Sequence, residues 1–272
     1  FGSVYLATIP KIAALQKIFF ALKEITFSPE HEAEIKIEEQ VMGLVKRDQS
    51  FPQLYKTFIN GKQLSLFMEY FSGGSLASLF IKRLQAVEIS LFPLSTTLFP
   101  EEAVKTWMAQ VLLGLNKLHK KLYVHSDVKP DNIFLNGNLS AKVADFGAAF
   151  KIESRGAMAV PRVFDQFFLA PEVFIDNTGG EKIDIWALGV TAYMLLTGHY
   201  PFLIENQNLT IDVEAIPKTH AGWKAASPQA KSFVMQVLIF NHVDRPTSAE
   251  LMNHPWFNGV DWNRVANQSV KI

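Results

Sequence analysis

Two short stretches carry residue types that can do chemistry together: His125-Ser126-Asp127-Val128-Lys129-Pro130-Asp131-Asn132 and, thirteen positions after Asn132, Asp145-Phe146-Gly147. A carboxylate such as Asp127 can aim a hydroxyl group and take its proton, and an ammonium two residues later, Lys129, can neutralise a phosphate. The amide oxygen of Asn132 and the carboxylate of Asp145 are hard oxygen ligands of the kind Mg²⁺ prefers. Those are the requirements of phosphoryl transfer, which needs the phosphates neutralised, a metal held and an acceptor positioned. A lone His-x-Asp or Asp-Phe-Gly is common in unrelated proteins, so the weight lies on the ordered set.

The elements that must position these residues can be read from periodicity. Residues 132–135 and 141–144 are strand-like and flank Asn136-Gly137, which places Asp127, Asn132 and Asp145 around one hairpin. Upstream, 3–7 and 18–25 are rich in strand formers, and 54–59 and 63–68 flank Asn60-Gly61, a two-residue hairpin signal. Residues 30–45 have helical periodicity between them. From Gly73 onward long apolar-periodic segments dominate: a helix over 99–121 with Val104, Trp107, Met108, Val111, Leu112 and Leu115 on one face, then helices over 182–197, 228–239 and 248–252. Ser72-Gly73-Gly74 reads as the hinge between a β-rich and a helical portion. Residues 84–98 mix apolar residues with Ser, Thr and Pro and read as an extended loop.

With these motifs in place, the chain resembles the eukaryotic protein kinase family over essentially its whole length. HSDVKPDN is similar to the HRDLKPEN catalytic loop and ADFG to the metal-binding segment. Leu169-Ala170-Pro171-Glu172 matches the end of the activation segment, Asp184-Ile185-Trp186-Ala187-Leu188-Gly189 the DxWxxG helix start, and Arg245 lies in a DRPT segment followed by HPWF. The resemblance implies an α+β, two-lobed fold: one kinase domain over 1–272, with a small β-rich N-lobe over 1–70 and the hinge and larger helical C-lobe over 71–272. It implies ATP and Mg²⁺ as cofactors and Ser or Thr hydroxyls of proteins as acceptors, since Lys129 follows the Ser/Thr-kinase pattern.

The resemblance also assigns roles. Phe20-Ala21-Leu22-Lys23 is similar to VAIK, making Lys23 the clamp on the α- and β-phosphates. Its helix partner is chosen among Glu34, Glu38 and Glu39; Glu38 shares a face with Val41, Met42 and Val45 and is the expected one. Phe1-Gly2-Ser3-Val4 resembles the end of the Gly-rich loop, of which only the last glycine, Gly2, is present. Met68 is then the gatekeeper, with Glu69, Tyr70 and Phe71 as the hinge that reads adenine and Val4, Ala21 and Phe134 around the ring. Asp127 and Lys129 are the catalytic pair; Asn132 and Asp145 are the metal ligands. His125 and Phe146 are assigned to packing between lobes, and Glu172, Asp184 and Arg245 to architecture, with Glu172 and Arg245 paired. The aromatic cluster Phe164, Phe167 and Phe168 is open between a substrate groove and core.

Three departures from the family pattern bear on function. Ser126 stands where many kinases carry the Arg that binds an activation-loop phosphate, and residues 146–169 contain one hydroxyl, Ser154. The expectation is an activation segment that takes its working form unmodified or through a regulatory protein partner. Asp165 stands where a Thr usually bonds the catalytic Asp and Lys, bringing a second carboxylate toward Asp127, where repulsion raises a pKa unless Lys129 or a metal intervenes. Ser75 replaces the Glu of many Arg-directed kinases, so strong selection for an upstream basic residue is not expected.

Composition narrows the remaining classes. The chain has 272 residues, 49% hydrophobic and 19% charged, enough to bury a large core. Lys plus Arg and Asp plus Glu are 26 each, so no whole-chain field points to nucleic acid or an anionic membrane. The apolar run 185–196 is too short to span a bilayer, where roughly 18–20 residues are needed, and no secretory signal opens the sequence. Its first residues read as a fragment start. Cysteine is absent, excluding disulfides and thiolate chemistry; an intracellular, cytoplasmic location is the default expectation. A pseudokinase, keeping the fold as a nucleotide-binding or scaffold module without turnover, is the rival reading, and a small-molecule kinase of related fold the third.

Overall fold

The computed structural model describes residues 2–10, 17–28, 32–89, 97–161, 165–205, 208–214, 216 and 218–268. The first part is a four-stranded antiparallel sheet and one helix: β1 (Gly2–Pro10), β2 (Lys17–Thr26), α1 (Glu32–Leu44), β3 (Leu54–Asn60) and β4 (Gln63–Glu69), in sheet order β1-β2-β4-β3. The β3–β4 turn falls at Asn60-Gly61, where Gly61 has φ +58°, a conformation open to glycine without a Cβ clash. Along β4, Leu64 and Leu66 alternate inward and are fully buried against the α1 side chains Val41, Met42 and Val45 in one core. In register, Val4 faces Lys23, and Lys23 faces Leu66, so the strand alternation sets Lys23 on the inner face of the sheet.

The chain then turns helical. β5 (Gly74–Ser75) leads into α2 (Leu76–Ile89), whose start is capped by Ser75 Oγ accepting from the Ser78 backbone N–H at 3.2 Å. The expectation of an extended loop over 84–98 is therefore corrected for its first part. Leu76, Phe80 and Leu84 form a stripe at i, i+4 and i+8 that packs on the core, and the helix runs on to Ile89. Residues 90–96 lie outside the described residues, and Leu98 is fastened back by the Arg83 guanidinium at 3.0 Å. The long helix α3 (Glu101–His119) follows, with Val104, Trp107, Met108, Val111, Leu112 and Leu115 all buried as its periodicity predicts.

Short strands bring the polar motifs together. β6 (Tyr123–Val124) precedes the HSDVKPDN loop, β7 (Ile133–Leu135) and β8 (Ala141–Val143) form the hairpin after it, and β9 (Phe150–Lys151) returns to pair with β6. Beyond them lie α4 (Pro171–Asp176), α5 (Lys182–Thr197), the ribbon β10 (Leu203–Glu205) and β11 (Asn208–Thr210), α6 (Ala221–Ala225), α7 (Pro228–Val237), α8 (Ser248–Leu251) and α9 (Trp262–Ala266). The α+β character expected from the sequence is what the fold has. Helix α5 is buried on nearly every side, which is why its sequence is apolar all round.

Gly189 marks where α5 and α7 meet. A Cβ at this position would lie 2.3 Å from Val237 Cγ2 and 2.9 Å from Leu238 Cδ2. The glycine is thus a close-approach residue, and its helix-propensity cost is outweighed by packing. Gly189→Ala should destabilise the protein by about 1–3 kcal/mol through overpacking, read as a lowered midpoint in urea. An unchanged midpoint would show that the two helices separate freely.

Candidate active site

Two side chains converge on Lys23 of β2, one from α1 and one from the segment that follows β8. Its Nζ lies 2.8 and 2.9 Å from the two Glu38 carboxylate oxygens and 2.8 Å from Asp145 Oδ1. Glu38 is the α1 glutamate that shares the buried face of Val41, Met42 and Val45, and it is only 2% exposed. Burial pushes the Lys23 ammonium down, but the Glu38 and Asp145 charges outweigh it and hold its pKa above the ordinary lysine value. Burial also acts on Glu38 and wins there, lifting its carboxyl above the usual range despite Lys23. For Asp145, burial is outweighed by Lys23 and by the Gly147 backbone N–H, and the carboxyl titrates below its ordinary value. Of the other two candidate partners of Lys23, Glu39 is half-buried and makes no contact with it among the described bonds, and the Glu34 side chain lies outside the described residues.

The HSDVKPDN loop is shaped from beneath by Asp184 at the start of α5. Its carboxylate accepts the backbone N–H groups of His125 at 2.9 Å and Ser126 at 2.8 Å, and lies 2.8 Å from His119 Nε2. These bonds hold a strained backbone at Ser126, which has φ 67°; Asp145, bonded to Lys23 and the Gly147 N–H, has φ 64°, also in the left-handed region. Such conformations persist only where surrounding contacts over-determine them. The His125 ring reaches the Ala144 carbonyl at 3.0 Å and packs on Phe146, whose ring in turn meets Phe51 from the sheet portion. Both residues are fully buried, as the packing assignment required.

Above this base, Asn132 Nδ2 donates to the Asp127 carbonyl at 2.8 Å and to Asp127 Oδ2 at 2.7 Å. That commits the amide nitrogen to Asp127 and leaves the amide oxygen for a cation. Lys129 Nζ sits 3.0 Å from Asp127 and 3.7 Å from Asp165. The expected conflict between the two carboxylates is therefore answered by Lys129 standing between them. Burial lowers the Lys129 ammonium, and Asp127 and Asp165 more than restore it, so it titrates above the ordinary lysine value. Asp165 also accepts the Phe167 backbone N–H at 3.1 Å and so caps the short turn Gln166–Phe168. A Thr hydroxyl would do this more weakly. Of the aromatic cluster, Phe168 packs against the core and Phe167 meets Tyr200 edge-on, while Phe164 lies outside the described residues.

Between sheet and helices a cleft of about 360 Å³ is lined by Val4, Ala21, Phe71 and Phe134, among others. Met68 packs against the core behind it. Glu69 ends β4; its N–H is bonded to the Gln53 carbonyl and its carboxylate is held by Lys142 at 2.8 Å, a residue that sequence reasoning did not single out. Gly2 stands at the start of β1 opposite Ile25, and Phe1 lies outside the described residues. Away from the cleft, Arg245 makes a two-pronged bond to Glu172 at 2.8 and 3.0 Å, as expected.

A family model described as the protein kinase domain matches residues 1–257. The chain belongs to the protein kinase family. Among curated proteins it is 30% identical over 261 residues to mitogen-activated protein kinase kinase 2 of Arabidopsis thaliana, covering 91% of this chain and 67% of that protein. It is 31% identical to a titin homolog of Caenorhabditis elegans, covering 95% and 1%, and 31% identical to the human serine/threonine-protein kinase MRCK gamma, covering 84% and 15%. The chain thus spans only part of these curated relatives. It carries a protein serine/threonine kinase domain of two-lobed, α+β architecture. Among the described residues, no helix is long and apolar enough to cross a membrane.

Proposed function

We propose that this domain transfers the γ-phosphoryl group of Mg-ATP to Ser or Thr hydroxyls of protein substrates, working inside the cell. The observation that carries the proposal is Lys23 held at once by Glu38 and Asp145 at 2.8 Å each, which joins helix, sheet and metal-ligand segment. In this reading residues 1–70 form the N-lobe and 71–272 the hinge and C-lobe. Val4 and Ala21 above and Phe134 below would enclose adenine, the Glu69 and Phe71 backbone would read its edge, Met68 would close the back and Gly2 would cover the phosphates. Lys23 holds the α- and β-phosphates.

The oxygen donors that remain suit Mg²⁺: the Asn132 amide oxygen, because its nitrogen is spent on Asp127, and the second Asp145 oxygen, because the first is on Lys23. Held there, a divalent ion would supply charge neutralisation to the phosphates. Asp127 orients the acceptor hydroxyl and takes its proton as the oxygen bonds to the γ-phosphorus. The bond from that phosphorus to the bridging oxygen breaks, and ADP leaves. Lys129, shared between Asp127 and Asp165, offsets charge on the transferred group.

Independence from activation-loop phosphorylation is part of the proposal. Arg155 binds one oxygen of the buried Glu181 at 2.8 and 3.1 Å, and Ala159 and Gly179 exchange backbone bonds at 2.9 and 2.7 Å. These contacts tie Arg155 and Ala159 to the residues that lead into α5, through unmodified side chains and backbone. Phosphatase treatment should leave the rate unchanged within about twofold; a large loss traced to Ser154 would defeat this part. The activity itself is tested by incubating the protein with Mg-ATP and a peptide library beside Asp127→Asn. Equal incorporation in both sinks the kinase reading, and nucleotide binding without any transfer would make the domain a binding module.

A further inference from the structure

Lys142 is a lysine where burial argues against one. It lies on β8, is 3% exposed, and grips both Glu69 oxygens at 3.0 and 2.8 Å. Its Nζ also stands 5.9 Å from the centroid of the Phe71 ring, within cation–π reach. On the β7–β8 hairpin, Lys142 is directly opposite Phe134, and Phe134 packs on Phe71 with centroids 5.6 Å apart. One buried cation is therefore bonded to one of the hinge residues whose backbones would read adenine, lies within cation–π reach of the other, and sits across the ladder from the floor of the same pocket.

Glu69 is fixed on its other side as well. Its Oε2 accepts the Gln53 N–H at 3.1 Å and its own N–H donates to the Gln53 carbonyl at 2.9 Å. With the side chain drawn back to Lys142 and the N–H committed, rotation of the Glu69 peptide is suppressed. What is left for a ligand in the cleft is the carbonyl edge. Lys142 is also three residues before Asp145, so the same strand sets the hinge and the metal-ligand segment.

We propose that Lys142 is a positioning residue for nucleotide recognition, holding Glu69 and Phe71 so that the hinge presents a fixed hydrogen-bonding edge to adenine. The inference rests on the kinase reading and adds to it a residue outside the cleft lining. The energetic logic is that of a buried pair: removing one partner leaves the other uncompensated and mobile, at high cost. A hinge edge that no longer meets adenine leaves a polar group unpaired, which costs on the order of 10–100-fold in affinity.

The experiment measures ATP binding by calorimetry without peptide, and then steady-state kinetics, for Lys142→Met, Lys142→Arg and Glu69→Gln. Lys142→Met should raise the ATP Kd by about 10–100-fold and the ATP KM in step, with kcat at saturating ATP and peptide KM changed less than about twofold. Lys142→Arg should recover most of the affinity. Glu69→Gln should weaken ATP binding in the same direction, and the double variant should bind no more weakly than Lys142→Met alone, because the two act as one unit. An ATP Kd unchanged in Lys142→Met, or peptide KM and kcat falling in parallel with it, would overturn the proposal. If Lys142→Met does not fold, Glu69→Gln decides on the same criterion. A wild-type protein that binds no ATP would defeat the kinase reading itself, whereas tight wild-type binding with unaffected variants defeats only the role of Lys142.

Discussion

Asp127→Asn should lower peptide phosphorylation by about 10²–10⁴-fold, the range a positioned general base supplies, while ATP binding stays close to wild type. The asparagine is isosteric, and its amide oxygen can still accept from Asn132 Nδ2, now 2.7 Å from the carboxylate. Two things are lost: the ability to take the acceptor's proton, and the charge that holds Lys129 at 3.0 Å. Lys129 keeps Asp165 as its remaining anion. The loss should therefore fall on kcat, with the nucleotide Kd unmoved, because Asp127 is not part of the cleft lined by Val4, Ala21 and Phe134. A variant retaining more than a tenth of the wild-type rate would mean that proton acceptance at this position contributes little.

Glu172→Gln should destabilise the fold by about 3–5 kcal/mol, the cost of leaving a buried charge without its partner. Arg245 is 1% exposed, and among the described residues Glu172 is the carboxylate that pairs with it. Glu172→Gln removes the charge while keeping the shape. At this chain length that loss corresponds to a drop in Tm of roughly 6–20 °C. An apolar double replacement of Arg245 and Glu172 should not recover the loss, although such swaps are often neutral elsewhere. Arg245 also donates to the carbonyls of Ile239, Lys182 and Phe240, and its guanidinium lies over the Trp186 ring. Removing it takes the donor from three carbonyl groups at once. Thermal unfolding of the single and double variants checks this; a double variant as stable as wild type would contradict it.

How much of the site could be read beforehand follows from what each residue does. Lys23, Asp127, Lys129, Asn132 and Asp145 could be singled out because phosphoryl transfer admits few substitutes, so type and order suggest them without any knowledge of contacts. Glu38 was legible because helical spacing ties it to Val41, Met42 and Val45, all of which are buried. Lys142 was not. Its partner Glu69 is 73 positions away, and no local pattern joins a strand lysine to a hinge glutamate. Arg155 and Glu181 were missed for the same reason.

Among the elements, long periodic helices were readable to within a few residues, whereas β5, β9 and α4 are too short for any period to show. Helix α2 was hidden by the Ser, Thr and Pro that follow it, although Leu76, Phe80 and Leu84 keep helical spacing. The outcome at Asp165 was open for a different reason. Two carboxylates predict repulsion, and only the placement of Lys129 between them, at 3.0 and 3.7 Å, decides it.

The grip of Asp184 on the His125 and Ser126 N–H groups spans 59 and 58 residues of chain. On a ribosome adding about 5–20 residues per second, the loop is made about 3–12 s before the carboxylate that shapes it. Until then the two Asp184 bonds that hold the left-handed backbone at Ser126 are missing. The nascent chain consequently carries every side chain of the proposed chemistry before the start of α5, which shapes their loop, has been made. A chain halted before Asp184 would lack both this template and the helices α5 to α9.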